Sequence, residues 1–306
     1  MTLRIGLIGW GTVGSALGEL VLSGPLPLEL ACIAVRDPAR DRGSALPAGV
    51  RIGSPTDALA AGEVVVELAG GTNEPRDWAR ATLERGRPYV TANKALLATH
   101  GAELARLAEA NGGALLASAS VGGGTPMIET VQHLATTRAI ARLRGIVNAT
   151  TTYILSAMGE GRSYDDALRA AQEAGFAEAD PSFDVGGRDA AQKLAILASV
   201  AWDRWRSERE VETSGIVGVE VRPGEAVRLV AEATEQRMSV RTERLDAADP
   251  LASAVGIENV LQIEVQDVAT FRISGPGAGG RVTAGAVYAD LARLVAGERP
   301  ILFGPR

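Results

Sequence analysis

The feature that most restricts this chain lies at its start. Residues 3–9, LRIGLIG, form a short apolar run ending in glycine, and WGTVGSALGELVLS follows without a break. An apolar run, a glycine turn and helical periodicity, in that order, predict a buried β-strand feeding an α-helix through a tight bend. The spacing Gly9-x-Gly11-x-x-Gly14 gives that bend a purpose. The first glycine permits the turn, the second lets backbone approach a pyrophosphate, and the third lets the helix pack closely on the strand. The helix N-terminus at Thr12, Val13 and Gly14 then offers free N–H groups to the phosphates.

The rest of the first 124 residues repeats this alternation. LELACIAVRD reads as a second strand, followed by a polar Pro/Gly-rich stretch at 37–57 and the strand EVVVELAG at 63–70. A helix at 74–85, the strand RPYVTA, a helix at 101–111 and the strand GALLASASVG complete the series. Strands alternating with helices predict an α/β fold with a Rossmann-type, doubly wound parallel sheet. The pattern changes after Gly124. Helical periodicity appears near 126–138, 150–160, 164–174, 188–202 and 224–237, with strand-like runs at 140–147 and 258–274. This predicts a second domain of α+β type with its own sheet. The segment 283–296 is helical again.

Composition narrows the functional classes. At 306 residues and 46% hydrophobic content, the chain has enough apolar material for two cores. A net charge of −6 with scattered arginines argues against a general binder of nucleic acid or anionic membranes. The single cysteine, Cys32, sits in an apolar run, reads as a buried hydrophobe and fits a reducing cytosol. No charged-then-apolar leader precedes Leu3, and no uncharged apolar run approaches the roughly 18 residues of a membrane span. A cytoplasmic protein is expected. With only His100 and His133, a transition-metal site has little to build on.

The second strand ends in Val35-Arg36-Asp37. An arginine at such a tip accommodates the 2′-phosphate of NADP, whereas an acid bonds the 2′-OH of NAD. Arg36, with Arg40 and Arg42 close in sequence, favours NADP, and Asp37 keeps NAD open. A second concentration of chemistry lies at 175–193, GFAEADPSFDVGGRDAAQK. It holds Glu178, Asp180, Asp184, Asp189 and Lys193 around Gly186-Gly187. On the helix that follows, Asp189 and Lys193 are i and i+4 and share one face. Carboxylates for an ammonium and a lysine for proton transfer suit a zwitterionic amino-acid substrate. A solvated loop with an ordinary surface ion pair is the plain alternative.

Several motifs together make the chain resemble homoserine dehydrogenase, nearly end to end. They are VVVELAGGT (64–72), VTANKALLATHG (90–101), SVGGGTPMIETV (120–131), GIVNATTTYIL (145–155), the acidic stretch at 175–193, and GPGAGGRVTAGAV (275–287). The family interconverts L-homoserine and L-aspartate-4-semialdehyde with NAD(P). The resemblance implies a dinucleotide-binding domain from residues 1–125 and 277–306, with a substrate-binding and dimerisation domain at 126–276. It implies a homodimer in threonine, methionine and isoleucine biosynthesis. Lys193 matches the family's acid/base lysine. Lys94 matches the lysine near the reacting hydroxyl, and Asp189 orders the site. Asn148, Thr150, Glu178 and Asp184 match substrate-binding positions. Gly9, Gly11, Thr12, Val13, Gly14, Arg36, Gly70, Lys94 and Gly277 match the cofactor site, with Gly275 and Gly279 flanking the last.

Two positions depart from the family pattern. Ser118 stands where the family has a glutamate that ligates a structural Na⁺ or K⁺ with nearby carbonyls. The carbonyls of Val121, Gly123 and Thr125 remain, but losing the anionic ligand weakens a hard-cation site, so tight binding is not expected. Ala149 stands where the family usually has glycine, and its methyl group is expected to crowd the substrate loop or merely shift it, since only glycine is free at positive φ. These departures leave room for a related dehydrogenase acting on another hydroxy or aldehyde amino acid, or for a silent dinucleotide-binding protein. Over these 306 residues, the small-molecule-sensing C-terminal domain that many family members carry is not expected.

Overall fold

The structure, a computed structural model, describes residues 2–37 and 45–304, so Arg40 and Arg42 lie outside the described residues. Contacts divide the chain into two units. The first is Met1–Gly124 with Asp203–Trp205 and Gly279–Arg306, and the second is Thr125–Trp202 with Arg206–Ala278.

The first unit runs β1 (Leu3–Ile8), α1 (Thr12–Ser23), β2 (Leu28–Ala34), β3 (Ile52–Gly53), α2 (Pro55–Ala61), β4 (Val64–Glu67), α3 (Asn73–Leu83), β5 (Pro88–Thr91), α4 (Lys94–Asn111) and β6 (Ala114–Leu116). Its six strands are ordered β3-β2-β1-β4-β5-β6 and pair in parallel throughout. The chain winds outward from β1 to β3, then restarts at β4 on the other side of β1. This makes β1/β4 the switch point, where such sheets take their ligand at the carboxyl ends of the strands. Helices cover both faces, which is why every residue of β4 and β5 is buried.

Two details differ from the expectation. The polar stretch at 37–57 contains β3 and the start of α2, nucleated by a capping box in which Ser54 and Asp57 bond each other's backbone, with Pro55 just inside. Helix α4 begins at Lys94 rather than near 101. Gly101 does not interrupt it, because its missing side chain makes room for Phe303 and Trp205, whose atoms would lie 2.8 and 2.9 Å from a Cβ there.

The second unit comprises α5 (Met127–Thr137), β7 (Ile140–Ile146), α6 (Ala149–Gly159), α7 (Tyr164–Glu173), α8 (Ser182–Val185), α9 (Arg188–Ala201), β8 (Val211–Thr213), β9 (Ala226–Ala233), β10 (Met238–Leu245), β11 (Glu258–Val265) and β12 (Ala269–Pro276). Its sheet is ordered β12-β11-β7-β9-β10-β8 and is antiparallel except between β10 and β8. The helix expected over 224–237 is a strand. AVRLVAEA is rich in helix formers, but β9 lies inside the sheet and is buried from Val227 to Ala231, so burial overrides propensity. The run at 258–274 is likewise two strands, turned by Asp267 at φ 56°.

Helix α10 (Gly280–Val295) belongs to the first unit, where Ala284, Val287, Leu291 and Leu294 join the core of Ile5, Leu7 and Leu17. Among the described residues no helix is long and apolar enough to cross a membrane.

Candidate active site

At the switch point, Gly9 has φ 106°, a conformation that only glycine adopts freely. A Cβ at Gly9 would lie 2.7 Å from the Leu68 carbonyl oxygen, and one at Gly14 would lie 2.2 Å from the Gly9 oxygen. Gly11 is different, because a Cβ there would meet nothing within 4 Å. Its glycine keeps backbone open toward whatever sits before the turn. Gly11 also caps α1 without a side-chain bond, and α1 has no acid in its first turn, so the N–H groups from Thr12 onward keep their positive end uncompensated. Crowding behind the turn and openness in front of it fit a pyrophosphate. Arg36 and Asp37 are both exposed, just past the end of β2. The Ala34 carbonyl accepts the Gly9 amide at 3.0 Å, which places the end of β2 beside the turn.

The edge of the same site is held by Glu67, which is wholly buried at the end of β4. Its Oε1 accepts the amides of Ala69 at 2.8 Å and Gly70 at 2.9 Å. Its Oε2 accepts from Thr91 Oγ1 at 2.8 Å and Asn93 Nδ2 at 3.2 Å. Asn93 caps α4 by accepting the Leu96 amide at 3.1 Å, and half-buried Lys94 is the first residue of that helix.

In the second unit the polar cluster centres on Asn148. As N-cap of α6 its Oδ1 accepts the Thr151 amide at 2.8 Å. Its Nδ2 donates to Asp184 Oδ1 at 2.7 Å and to Asp189 Oδ2 at 2.8 Å. Asp184 is carried by the single turn of α8, and Asp189 and Lys193 by α9. Lys193 Nζ meets Asp189 Oδ2 at 2.8 Å and donates to the Val147 carbonyl at 2.8 Å. Thr150 Oγ1 lies 2.7 Å from the Phe176 carbonyl and 3.1 Å from Asp184 Oδ2. The pair is no surface ion pair, since the Lys193 and Asp189 side chains are 13% and 6% exposed. Burial pushes the Asp184 carboxyl up, and the Asp189 charge adds to this, while hydrogen bonds from Asn148 and Thr150 and the Lys193 charge pull the other way. With both acids ionised, one ammonium faces two carboxylates. The cluster therefore favours a further cation.

The structure brings together Asn148, Thr150, Asp184, Asp189 and Lys193, and it gathers Gly9, Gly11, Thr12, Val13 and Gly14 with Gly70 and Lys94 in the other unit. Glu178 stands apart. It is exposed on the loop after α7, and among the described residues its carboxylate accepts no hydrogen bond; its backbone carbonyl takes Gln172 Nε2 at 3.1 Å. Gly277 falls in the second unit just past β12, packed against the buried Asn259.

The residue at 118 does not supply what the family's cation needs. Ser118 Oγ donates to Asp290 Oδ1 at 2.6 Å and the Ser118 amide donates to Asp290 Oδ2 at 3.0 Å, both buried. Its oxygen is neutral, and its proton is committed to α10. Val121 and Gly123 lie in the first unit and Thr125 in the second, where Thr125 Oγ1 donates to the Pro276 carbonyl at 3.3 Å. Ala149 meets no strain, because it is the first residue of α6 and is not among the residues of positive φ. The crowding expected there depended on a positive φ that the helix does not use. Sequence reading also missed Glu67 and Asp290 as individuals. The signal in each case is one acid in an otherwise apolar strand or helix face.

A glycine turn at the switch point of a doubly wound sheet, with a buried lysine–carboxylate cluster in a second α+β unit, defines an NAD(P)-dependent oxidoreductase. The homoserine dehydrogenase NAD-binding domain profile matches residues 9–117, and the homoserine dehydrogenase profile matches residues 126–292. The homoserine dehydrogenase of Synechocystis sp. is 35% identical, over 96% of this chain and 74% of that protein. That of Bacillus subtilis is 31% identical, over 97% and 74%. Among solved structures, homoserine dehydrogenase from Thiobacillus denitrificans superposes with a TM-score of 0.91 at 30% identity, covering 100% of this chain and 78% of that one. A hyperthermophilic archaeal homoserine dehydrogenase in complex with NADPH gives 0.87 at 30% identity, covering 97% and 99%. The chain belongs to the homoserine dehydrogenase family.

Proposed function

We infer that the chain interconverts L-homoserine and L-aspartate-4-semialdehyde as an NAD(P)-dependent dehydrogenase. The observation that carries the reading is the buried Lys193–Asp189 pair beside Asp184, a cluster with more carboxylate than ammonium. Such a cluster takes the α-ammonium of an amino acid and supplies a proton-transfer group within one set of hydrogen bonds. Bound nicotinamide supplies the hydride acceptor or donor. Gly9, Gly11, Thr12, Val13 and Gly14 would cradle the pyrophosphate of the dinucleotide, with Gly70 and Lys94 as further candidate contacts in the same unit. Arg36 takes the 2′-phosphate, so NADP is the preferred cofactor.

Asp184 and Thr150 hold the substrate's ammonium end, with Asn148 fixing both carboxylates in place, while Glu178 stays outside this cluster. Two of the three Lys193 N–H groups are used by Asp189 and the Val147 carbonyl, which leaves the third to carry the transferable proton. In the reducing direction Lys193 donates that proton to the forming alkoxide; in oxidation it receives it. Asp189 orients Lys193, and Lys94 matches the family's lysine near the reacting hydroxyl. Ser118 brings no anionic ligand, so a monovalent cation is not expected to bind tightly.

Family resemblance further supports a homodimeric, cytoplasmic enzyme of threonine, methionine and isoleucine biosynthesis. Its first unit serves as the dinucleotide domain and its second as the substrate and dimerisation domain. The deciding experiment follows absorbance of reduced nicotinamide with purified protein, L-homoserine and either NADP⁺ or NAD⁺ at alkaline pH. Reduction that is faster with NADP⁺ is expected. Cofactor binding with no homoserine-dependent signal would remove the substrate assignment, and a strong NAD⁺ preference would remove the role of Arg36.

A further inference from the structure

Glu67 is the one carboxylate wholly buried at the carboxyl edge of the parallel sheet among the described residues. All four of its partners are donors, so both oxygens act only as acceptors. These partners come from two different segment ends. Ala69 and Gly70 form the turn after β4, where Gly70 has φ 74°. That turn adjoins the glycine turn: the Leu68 amide donates to the Ile8 carbonyl at 2.8 Å, and the Leu68 carbonyl sits where a side chain on Gly9 would go. Thr91 and Asn93 lie at the end of β5. There Thr91 Oγ1 also accepts the Asn93 amide at 2.9 Å, and Asn93 Nδ2 reaches back to the Gly71 carbonyl at 2.7 Å.

We propose that Glu67 is a positioning residue for catalysis. One oxygen fixes the Ala69–Gly70 turn against the phosphate-binding turn, and the other fixes the Asn93 cap from which Lys94 starts. This rests on the reading of the chain as an NAD(P)-dependent dehydrogenase. Four buried donors left without an acceptor would cost stability whatever the function, so stability alone does not decide the role of Glu67. A carboxylate whose four donors all belong to the turns that meet cofactor and Lys94 gains function from its placement.

The two arms separate by mutation. Glu67→Gln turns one acceptor oxygen into a donor, which faces donors whichever way the amide lies. We expect the NADPH dissociation constant to rise about tenfold or more, kcat to fall, and amide exchange at Ala69 and Gly70 to accelerate in the cofactor-free protein. Thr91→Val weakens only the second arm, at little change in size: it deletes one of the two donors to Oε2 and the acceptor of the Asn93 amide. It lowers kcat by about tenfold while leaving the NADPH dissociation constant within about twofold.

A Glu67→Gln protein with a lowered melting temperature but wild-type NADPH affinity and kcat would reduce Glu67 to a structural plug and overturn the proposal. If Glu67→Gln does not fold, Thr91→Val decides alone, and an unchanged kcat at saturating cofactor overturns it. NADPH binding and amide exchange are read without L-homoserine. A wild-type protein that binds NADPH but does not turn over homoserine therefore refutes the substrate reading and leaves the turn-fixing arm of the proposal open to these readouts.

Discussion

Asn148 holds together two carboxylates that would otherwise repel, and Lys193 supplies the one ammonium among them. Lys193→Met removes the proton carrier while keeping length and apolar stem. It is expected to lower kcat by about 10²–10⁴-fold with the circular dichroism spectrum retained, and near-normal turnover would dismiss Lys193 from the chemistry. Asp184 gives a pH-dependent test. Its carboxyl is raised by burial and by Asp189, so the folded state favours the protonated form. That contribution is fully present in acid and is lost as pH rises through the raised pKa, leaving an ionised group that costs stability. The melting temperature of Asp184→Asn relative to wild type is therefore expected to climb as pH goes from acid to neutral, while its affinity for homoserine drops. A difference that is flat with pH would refute the linkage.

Elements place these groups more than propensity does. Helix α6 starts where it does because Asn148 caps it, and that start puts Thr150 over Asp184. Ala149 is an ordinary first-turn residue there. Ala149→Gly is expected to cost stability by no more than about 1 kcal/mol in urea unfolding, without raising kcat. A large gain in kcat would mean that the methyl group does crowd the substrate. Strand β9 shows the opposite relation between sequence and element. Its alanine-rich sequence suits a helix, yet Arg228 within it is 5% exposed and donates to the carbonyls of Ala254, Ala252 and Val227. Burial lowers the Arg228 pKa, and the carbonyls satisfy its donors. A strand that carries an arginine inward gives no alternating signal for a reader of the sequence.

Across the chain, the first unit is closed by a helix from far along the sequence. Asp290 of α10 is 1% exposed and accepts both the amide and the hydroxyl of Ser118, so it ties α10 to the end of β6. Asp290→Ala leaves two buried donors without an acceptor and is expected to cost about 2–4 kcal/mol in urea unfolding, with Ser118→Ala costing about 1. Equal effects of the two would mean that the amide bond contributes nothing.

The glycine spacing, the alternation of strands and helices, and the i, i+4 pair of Asp189 and Lys193 follow from local pattern, and each is a property of a few adjacent residues. They were enough to foresee the doubly wound sheet and the pairing of Asp189 with Lys193, whereas Asn148 and Thr150 came from the family resemblance. Distance along the chain hid the rest. The partnership of Ser118 with Asp290, the four donors around Glu67, the exposed standing of Glu178 and the strand state of Ala226–Ala233 depend on segments that meet only after folding. Burial and hydrogen-bond satisfaction, settled between remote segments, decide them against local preference.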